Sequence, residues 1–116
     1  MKFSAPPALH GHPNVMTPED AFVGAVNMCI HMMFLWAVEK FKIKLLSYEC
    51  EAEGFVEDLI DRTSTFTKII LKPKIRVKGN QEGRVRKALK SAEKYSLVAK
   101  SIKSEVVIEP QIYVEN

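Results

Sequence analysis

From Ala21 to Val38 every position is apolar except Gly24, Asn27 and His31, so hydrophobic side chains fall on all sides of a helix drawn through them. Thr17-Pro18-Glu19-Asp20 stands in front of this run. It predicts a helix from Pro18 to about Phe41, with Thr17 as N-cap, Pro18 at the first helical position and two acids facing the positive end of the helix dipole. Thr17 and Asp20 also have capping-box spacing. As a helix, Ala21 to Val38 would rise about 27 Å, close to the hydrocarbon thickness of a bilayer. Asn27 and His31 near its centre, and acids rather than Lys or Arg at its first end, argue instead for a helix buried in protein. One small domain can hardly cover such a helix alone, so part of it is expected to lie against a second subunit.

The remaining pattern is shorter in period. Lys42 to Glu53 alternates and predicts a strand broken at Gly54. A second strand is predicted from Ser64 to Lys78, with Lys72, Lys74, Arg76 and Lys78 on one face and Leu71, Ile75 and Val77 on the other. Pro73 within it marks an edge or a bulge. Gln81 to about Lys94 predicts an amphipathic helix with Val85, Leu89 and Ala92 inward and Arg84, Arg86, Lys87 and Lys90 outward. Ser96 to Lys103 continues as a further helical segment, and Glu105 to Glu115 reads as a last strand containing Pro110. Residues 1–17 hold Pro6, Pro7 and Pro13 with His10 and His12 and no periodicity, and read as an extended arm. The class is α+β, in one domain over residues 1–116, without an internal repeat.

Composition agrees with one domain and not two: 116 residues, 47% hydrophobic and 27% charged. The net charge of +3 hides an asymmetry. Residues 1–60 carry four basic and eight acidic groups, and residues 61–116 carry thirteen and six. Such halves can attract each other within a fold or between copies, or present a basic face to an anion. Two cysteines, Cys29 and Cys50, are too few for a disulfide framework and suggest a reducing compartment. No apolar run follows the first charged residue, as a secretory signal would require. A cytoplasmic location is therefore expected.

Cys29 sits in the middle of the apolar helix, where a Cys is ordinarily a small core hydrophobe. Reactivity would need a cation or a helix N-terminus beside it, and Cys29 is about three turns into its own helix. His31, two residues on, is about 200° round from it and reads as a buried or interface His. His10-Gly11-His12 has no neighbouring cluster of Cys, Asp or Glu, and no metal or cofactor is expected. Met28, Met32, Met33, Phe34 and Trp36 read as core; where they enclose a cavity, Met32, Met33 and Trp36 would suit an acyl or aromatic ligand. The Lys72 to Lys78 face, with Arg84, Arg86 and Lys87, lacks interleaved aromatic residues and reads as solvated, so no nucleic-acid partner is expected.

The run Thr17-Pro18-Glu19-Asp20-Ala21-Phe22-Val23-Gly24-Ala25-Val26-Asn27-Met28-Cys29 resembles the signature of the OsmC/Ohr family, the osmotically inducible and organic-hydroperoxide-resistance proteins. In that family a Pro-Glu pair precedes a central helix whose peroxidatic Cys follows the Pro at this interval. Ala92 to Ser101 resembles the family's second-cysteine segment, and Lys42 to Lys78 its hairpin. The resemblance implies an intertwined homodimer, each long helix wrapped by sheet from both chains, and thiol-dependent reduction of organic hydroperoxides. By position it makes Cys29 the peroxidatic residue and Glu19 the acid that orients an activating Arg. Ten helical residues put Glu19 and Cys29 about 15 Å apart, so a Glu19 beside Cys29 would come from the second chain. Two departures follow. Ser96 stands at the resolving position, where a hydroxyl cannot form a disulfide, and the family's leading strands, one of which supplies the Arg, have no counterpart before the Pro-Glu pair. Two readings stay open: a hydroperoxide reductase served by an external thiol, and a diverged dimer that binds a small apolar ligand without peroxidase chemistry.

Overall fold

A computed structural model describes residues 16–116. The arm, with His10 and His12, falls almost wholly outside the described residues.

The chain enters its first helix, α1 (Pro18–Lys40), through a complete capping box. The Asp20 N–H donates to Thr17 Oγ1 at 3.0 Å and the Thr17 N–H donates to Asp20 Oδ2 at 3.3 Å, so two amides that the helix leaves without partners are satisfied. Lys42, with φ 55°, turns the chain out of the helix. Two long strands follow, β1 (Leu45–Asp58) and β2 (Ser64–Lys78), paired antiparallel. β1 does not stop at Gly54 but runs through it, because there the strand crosses α1: a Cβ on Gly54 would stand 2.7 Å from Val23 Cγ2 and 2.8 Å from Phe66 Cε1. Glycine is at this position for close approach and not for a turn.

Two helices come next, α2 (Glu82–Tyr95) and the single turn α3 (Leu97–Lys100), then β3 (Glu105–Ile108) and β4 (Gln111–Glu115). The last expected strand is thus two strands, both parallel to β2. The offset between partners is the same in both stretches, and it sets Pro110 opposite Pro73. Neither proline has an N–H to give, so the ladder lapses for two residues while the register persists. The sheet order is β1-β2-β3, with β4 beside β3 along the same edge of β2.

One core fills the space between the helices and a single face of the sheet. Val26, Ile30, Phe34 and Ala37 of α1 meet Ile69, Leu71, Ile75 and Val77 of β2 and Val85, Ala88, Leu89 and Ala92 of α2, all buried. α1 has the length and mean hydropathy, 1.8, of a membrane span. In this fold one side of it, carrying Val26, Ile30, Phe34 and Ala37, lines the core, and 28% of its apolar window is buried.

The opposite face of the sheet resolves the charge asymmetry. Glu49 lies across from Lys74 and Glu51 from Lys72, and Lys72 Nζ reaches Glu53 Oε1 at 3.2 Å. On the other edge Arg76 pairs with Glu115 at 3.2 Å. The acidic first half and basic second half are adjacent strands of one sheet. Each pair is half exposed and contributes under about 1 kcal/mol. Their larger effect is to balance the charge of the face from Lys72 to Lys78 against Glu49, Glu51, Glu53 and Glu115.

Candidate active site on the central helix

The exposed and buried sides of α1 distribute its chemistry. Cys29 is a free, half-buried thiol. Trp36 is seven residues on and so on nearly the same side of the helix. Its ring meets that of Tyr95, at the end of α2, edge-on at 6.3 Å. Ser96 follows directly, so the α2–α3 junction falls on the Cys29 side of α1. Ser96 is fully buried and is the N-cap of α3, its Oγ accepting from the Ala99 N–H at 3.3 Å. The Ser96 hydroxyl, at the position the resemblance assigns to a resolving Cys, therefore has a structural task.

Glu19 is exposed in the first turn of α1. It shares a continuous helix with Cys29, so within one chain the two stay about 15 Å apart. The four arginines of the sequence lie elsewhere. Arg62 is in the turn of the β1–β2 hairpin, Arg76 and Arg86 are paired with Glu115 and Glu82, and Arg84 is exposed on α2. Met33 packs against the core, whereas Met32 and Trp36 are more than half exposed. A cavity lined by Met32 and Trp36 would need a second surface laid over them.

On the other side of α1 is a group the sequence reading passed over. Asn27 and His31 are both about 200° round from Cys29, and with Met28 they face Tyr48 and Cys50 of β1 across a cavity of about 140 Å³. The His31 ring stacks on Tyr48 with centroids 4.1 Å apart and planes 16° from parallel. Burial, and then the neighbouring Cys50, push the Tyr48 hydroxyl above the ordinary phenol range. Burial likewise pushes the Cys50 thiol up, against the opposing influence of the Tyr48 hydroxyl. Cys50 Sγ donates weakly to the Glu51 carbonyl at 3.5 Å. The Tyr48 hydroxyl and Asn27 Oδ1 are buried without a well-formed hydrogen bond. The available signal was spacing: Tyr48 and Cys50 at i,i+2 on a strand, Asn27 and His31 at i,i+4 on a helix. Cys50 is thus separated from Cys29 by the body of α1. Among the described residues no group of three or more His, Cys, Asp and Glu is placed to hold a metal.

Comparison with known proteins bears on this arrangement. The family model for OsmC-like proteins matches residues 11–111. An OsmC-like protein of unknown function from Vibrio cholerae superposes with a TM-score of 0.83 at 25% identity, over 92% of this chain and 74% of its own. An OsmC-like protein from Mycoplasma pneumoniae gives 0.79 at 11% identity, over 94% and 78%. An organic hydroperoxide resistance protein from Legionella pneumophila gives 0.68 at 15% identity, over 96% and 79%. At the last two identities the likeness is one of fold. No curated protein matches the sequence.

Proposed function

Because this chain belongs to the OsmC-like family, we propose that it reduces organic hydroperoxides through Cys29, as a homodimer regenerated by an external thiol. The observation that carries the reading is the helix itself: a capped Pro18-Glu19 start with a free, half-buried Cys29 at the family's interval. The Cys29 thiolate attacks the terminal peroxide oxygen, the O–O bond breaks, and the alkoxide leaves and takes a proton as the alcohol. Cys29 is left as a sulfenic acid. A thiol from outside the chain then attacks its sulfur, water leaves, and a second thiol cleaves the mixed disulfide to restore Cys29. The external thiol is required because Ser96 cannot form a disulfide and Cys50 is beyond the helix.

The dimer has support of its own. Met28, Met32, Leu35 and Trp36 form one stripe along α1, with exposures of 63%, 65%, 43% and 51%. Phe55, Val56, Leu59 and Ile60 are likewise exposed at the far end of the hairpin. A second copy laid over this stripe would cover both surfaces and roof Met32 and Trp36. The buried Ser96 cap favours a second reading, a dimer that keeps such a roofed cavity for a small apolar ligand and has lost peroxidase chemistry.

The test is consumption of tert-butyl hydroperoxide by the purified protein with dithiothreitol as reductant. Turnover that is abolished in Cys29→Ser and retained in Cys50→Ser supports the reductase. Equal consumption by wild type and Cys29→Ser overturns it and leaves the ligand-binding reading.

A further inference from the structure

The cavity between α1 and β1 gathers donors that the hydroperoxide chemistry does not use. Met28 and His31 are three residues apart on a helix and therefore neighbours on its surface. Tyr48 and Cys50 are two apart on a strand and share its face. All four, with Asn27, line the same cavity of about 140 Å³. A thioether, an imidazole and a thiol thus border one small space. In the same walls the Tyr48 hydroxyl lies against the Cys50 thiol.

We propose that this cavity binds a soft monovalent metal ion, Cu(I), through the Cys50 thiolate, the His31 imidazole and the Met28 thioether. Thiolate and thioether sulfur are soft ligands that suit Cu(I), and imidazole suits it as well. Zinc fits this set poorly, since structural zinc takes four ligands from Cys, His and carboxylates, and only Cys50 and His31 here are of that kind. Charge gives the same answer. One thiolate against one monovalent cation leaves this half-buried site neutral, whereas a divalent ion would leave a net positive charge partly shielded from water. On binding, a Cu–S bond replaces the Cys50 S–H bond and the proton passes to solvent. His31 enters neutral, through a nitrogen lone pair, and no oxidation state changes. Tyr48 is a positioning residue: its ring, 4.1 Å from that of His31, holds the imidazole plane, and its hydroxyl lies beside the Cys50 sulfur. All three ligands come from one chain and none of them is Cys29, while Met28 also belongs to the stripe that a second copy would cover.

The experiment is an anaerobic titration of the reduced full chain with Cu(I) in competition with bicinchoninate, read by the colour of the chelator complex. Wild type and Cys29→Ser are expected to withhold one Cu(I) per chain, with a thiolate-to-copper absorption in the ultraviolet. Cys50→Ala abolishes this, and Met28→Leu and His31→Phe each weaken it by more than about tenfold. Met28 is mostly exposed and Phe can keep the stack on Tyr48, so these two variants hold the fold while removing a donor. The assignment is overturned if wild type withholds no copper, if Met28→Leu and His31→Phe bind as tightly as wild type, or if copper follows Cys29 and not Cys50. Zinc displacing bound copper at equal concentration would also overturn it.

Discussion

Replacing Gly54 by alanine tests how closely the hairpin is seated on the central helix. The new Cβ would stand 2.7 Å from Val23 Cγ2, 2.8 Å from Phe66 Cε1 and 3.2 Å from Phe66 Cδ1. Unstrained carbon contacts lie near about 3.5–4.0 Å, so the groups must separate by close to an ångström. Neither neighbour yields freely. Val23 is β-branched and held to essentially one side-chain rotamer in a helix, and the Phe66 ring lies against that of Phe22 with centroids 4.7 Å apart. Overpacking of this kind costs about 1–3 kcal/mol. Removing a glycine from a strand returns about 0.5–1 kcal/mol. Because neither neighbour yields, the upper part of that cost applies, about 2–3 kcal/mol, and the expected net loss is about 1–2.5 kcal/mol, or roughly 4–10 °C in Tm for a chain of this size. It is measured by urea and thermal unfolding followed by circular dichroism at fixed protein concentration. Val23→Ala opens the space the methyl needs, so the double variant should be more stable than the sum of the single changes by about 1 kcal/mol. A Gly54→Ala protein as stable as wild type, or strict additivity with Val23→Ala, would refute the seating.

Two further expectations concern the thiols and the exposed stripe. Burial raises the pKa of Cys50, and since the thiolate is the species that reacts, its alkylation by iodoacetamide should be slow at neutral pH and still be rising above about pH 8.5, where an ordinary cysteine is half ionised; a peptide-resolved mass-spectrometric rate that levels off below that pH contradicts the burial. Introducing charge into the stripe with Met32→Glu and Trp36→Glu together should convert the proposed dimer to a monomer at micromolar concentration with the helical signal kept, as read by light scattering on a sizing column, and an unchanged mass would remove the stripe from the interface.

What the sequence disclosed depended on how local the cause was. The start of α1 was legible because its cap is a four-residue affair: Thr17, Pro18 and Asp20 specify it without reference to anything distant. The family resemblance, carried by Pro18, Glu19 and Cys29, was legible for the same reason. The passage of β1 through Gly54 was not, since glycine in a strand pattern reads as a break and only the approach of Val23 and Phe66 shows why it is there. Pro110 read as an interruption inside one strand. That it faces Pro73, so that a single lapse serves both, is a property of a pairing between residues far apart in sequence. The charge asymmetry was visible as a count, yet its meaning awaited the register that sets Glu49 and Glu51 beside Lys74 and Lys72. The cavity at Tyr48 and Cys50 was hidden by the same limit, because a strand pair and a helix pair carry no shared period.

Helical geometry connects the two chemistries proposed for this chain and keeps them apart. Cys29 lies about 200° from both Asn27 and His31, so the turn of α1 that offers one thiol toward the α2–α3 junction offers its imidazole to the other thiol on β1. A disulfide between Cys29 and Cys50 would have to pass through the helix whose buried residues, Val26, Ile30 and Phe34, fill the core. Oxidation of Cys29 therefore cannot be relieved within one chain, and a sulfenic acid formed there would wait for a thiol from outside that chain. The same separation would put a metal ion at Cys50 on the far side of α1 from Cys29. Loss of peroxidase activity in Cys29→Ser and loss of copper in Cys50→Ala should accordingly be independent, each variant keeping the property that the other lacks.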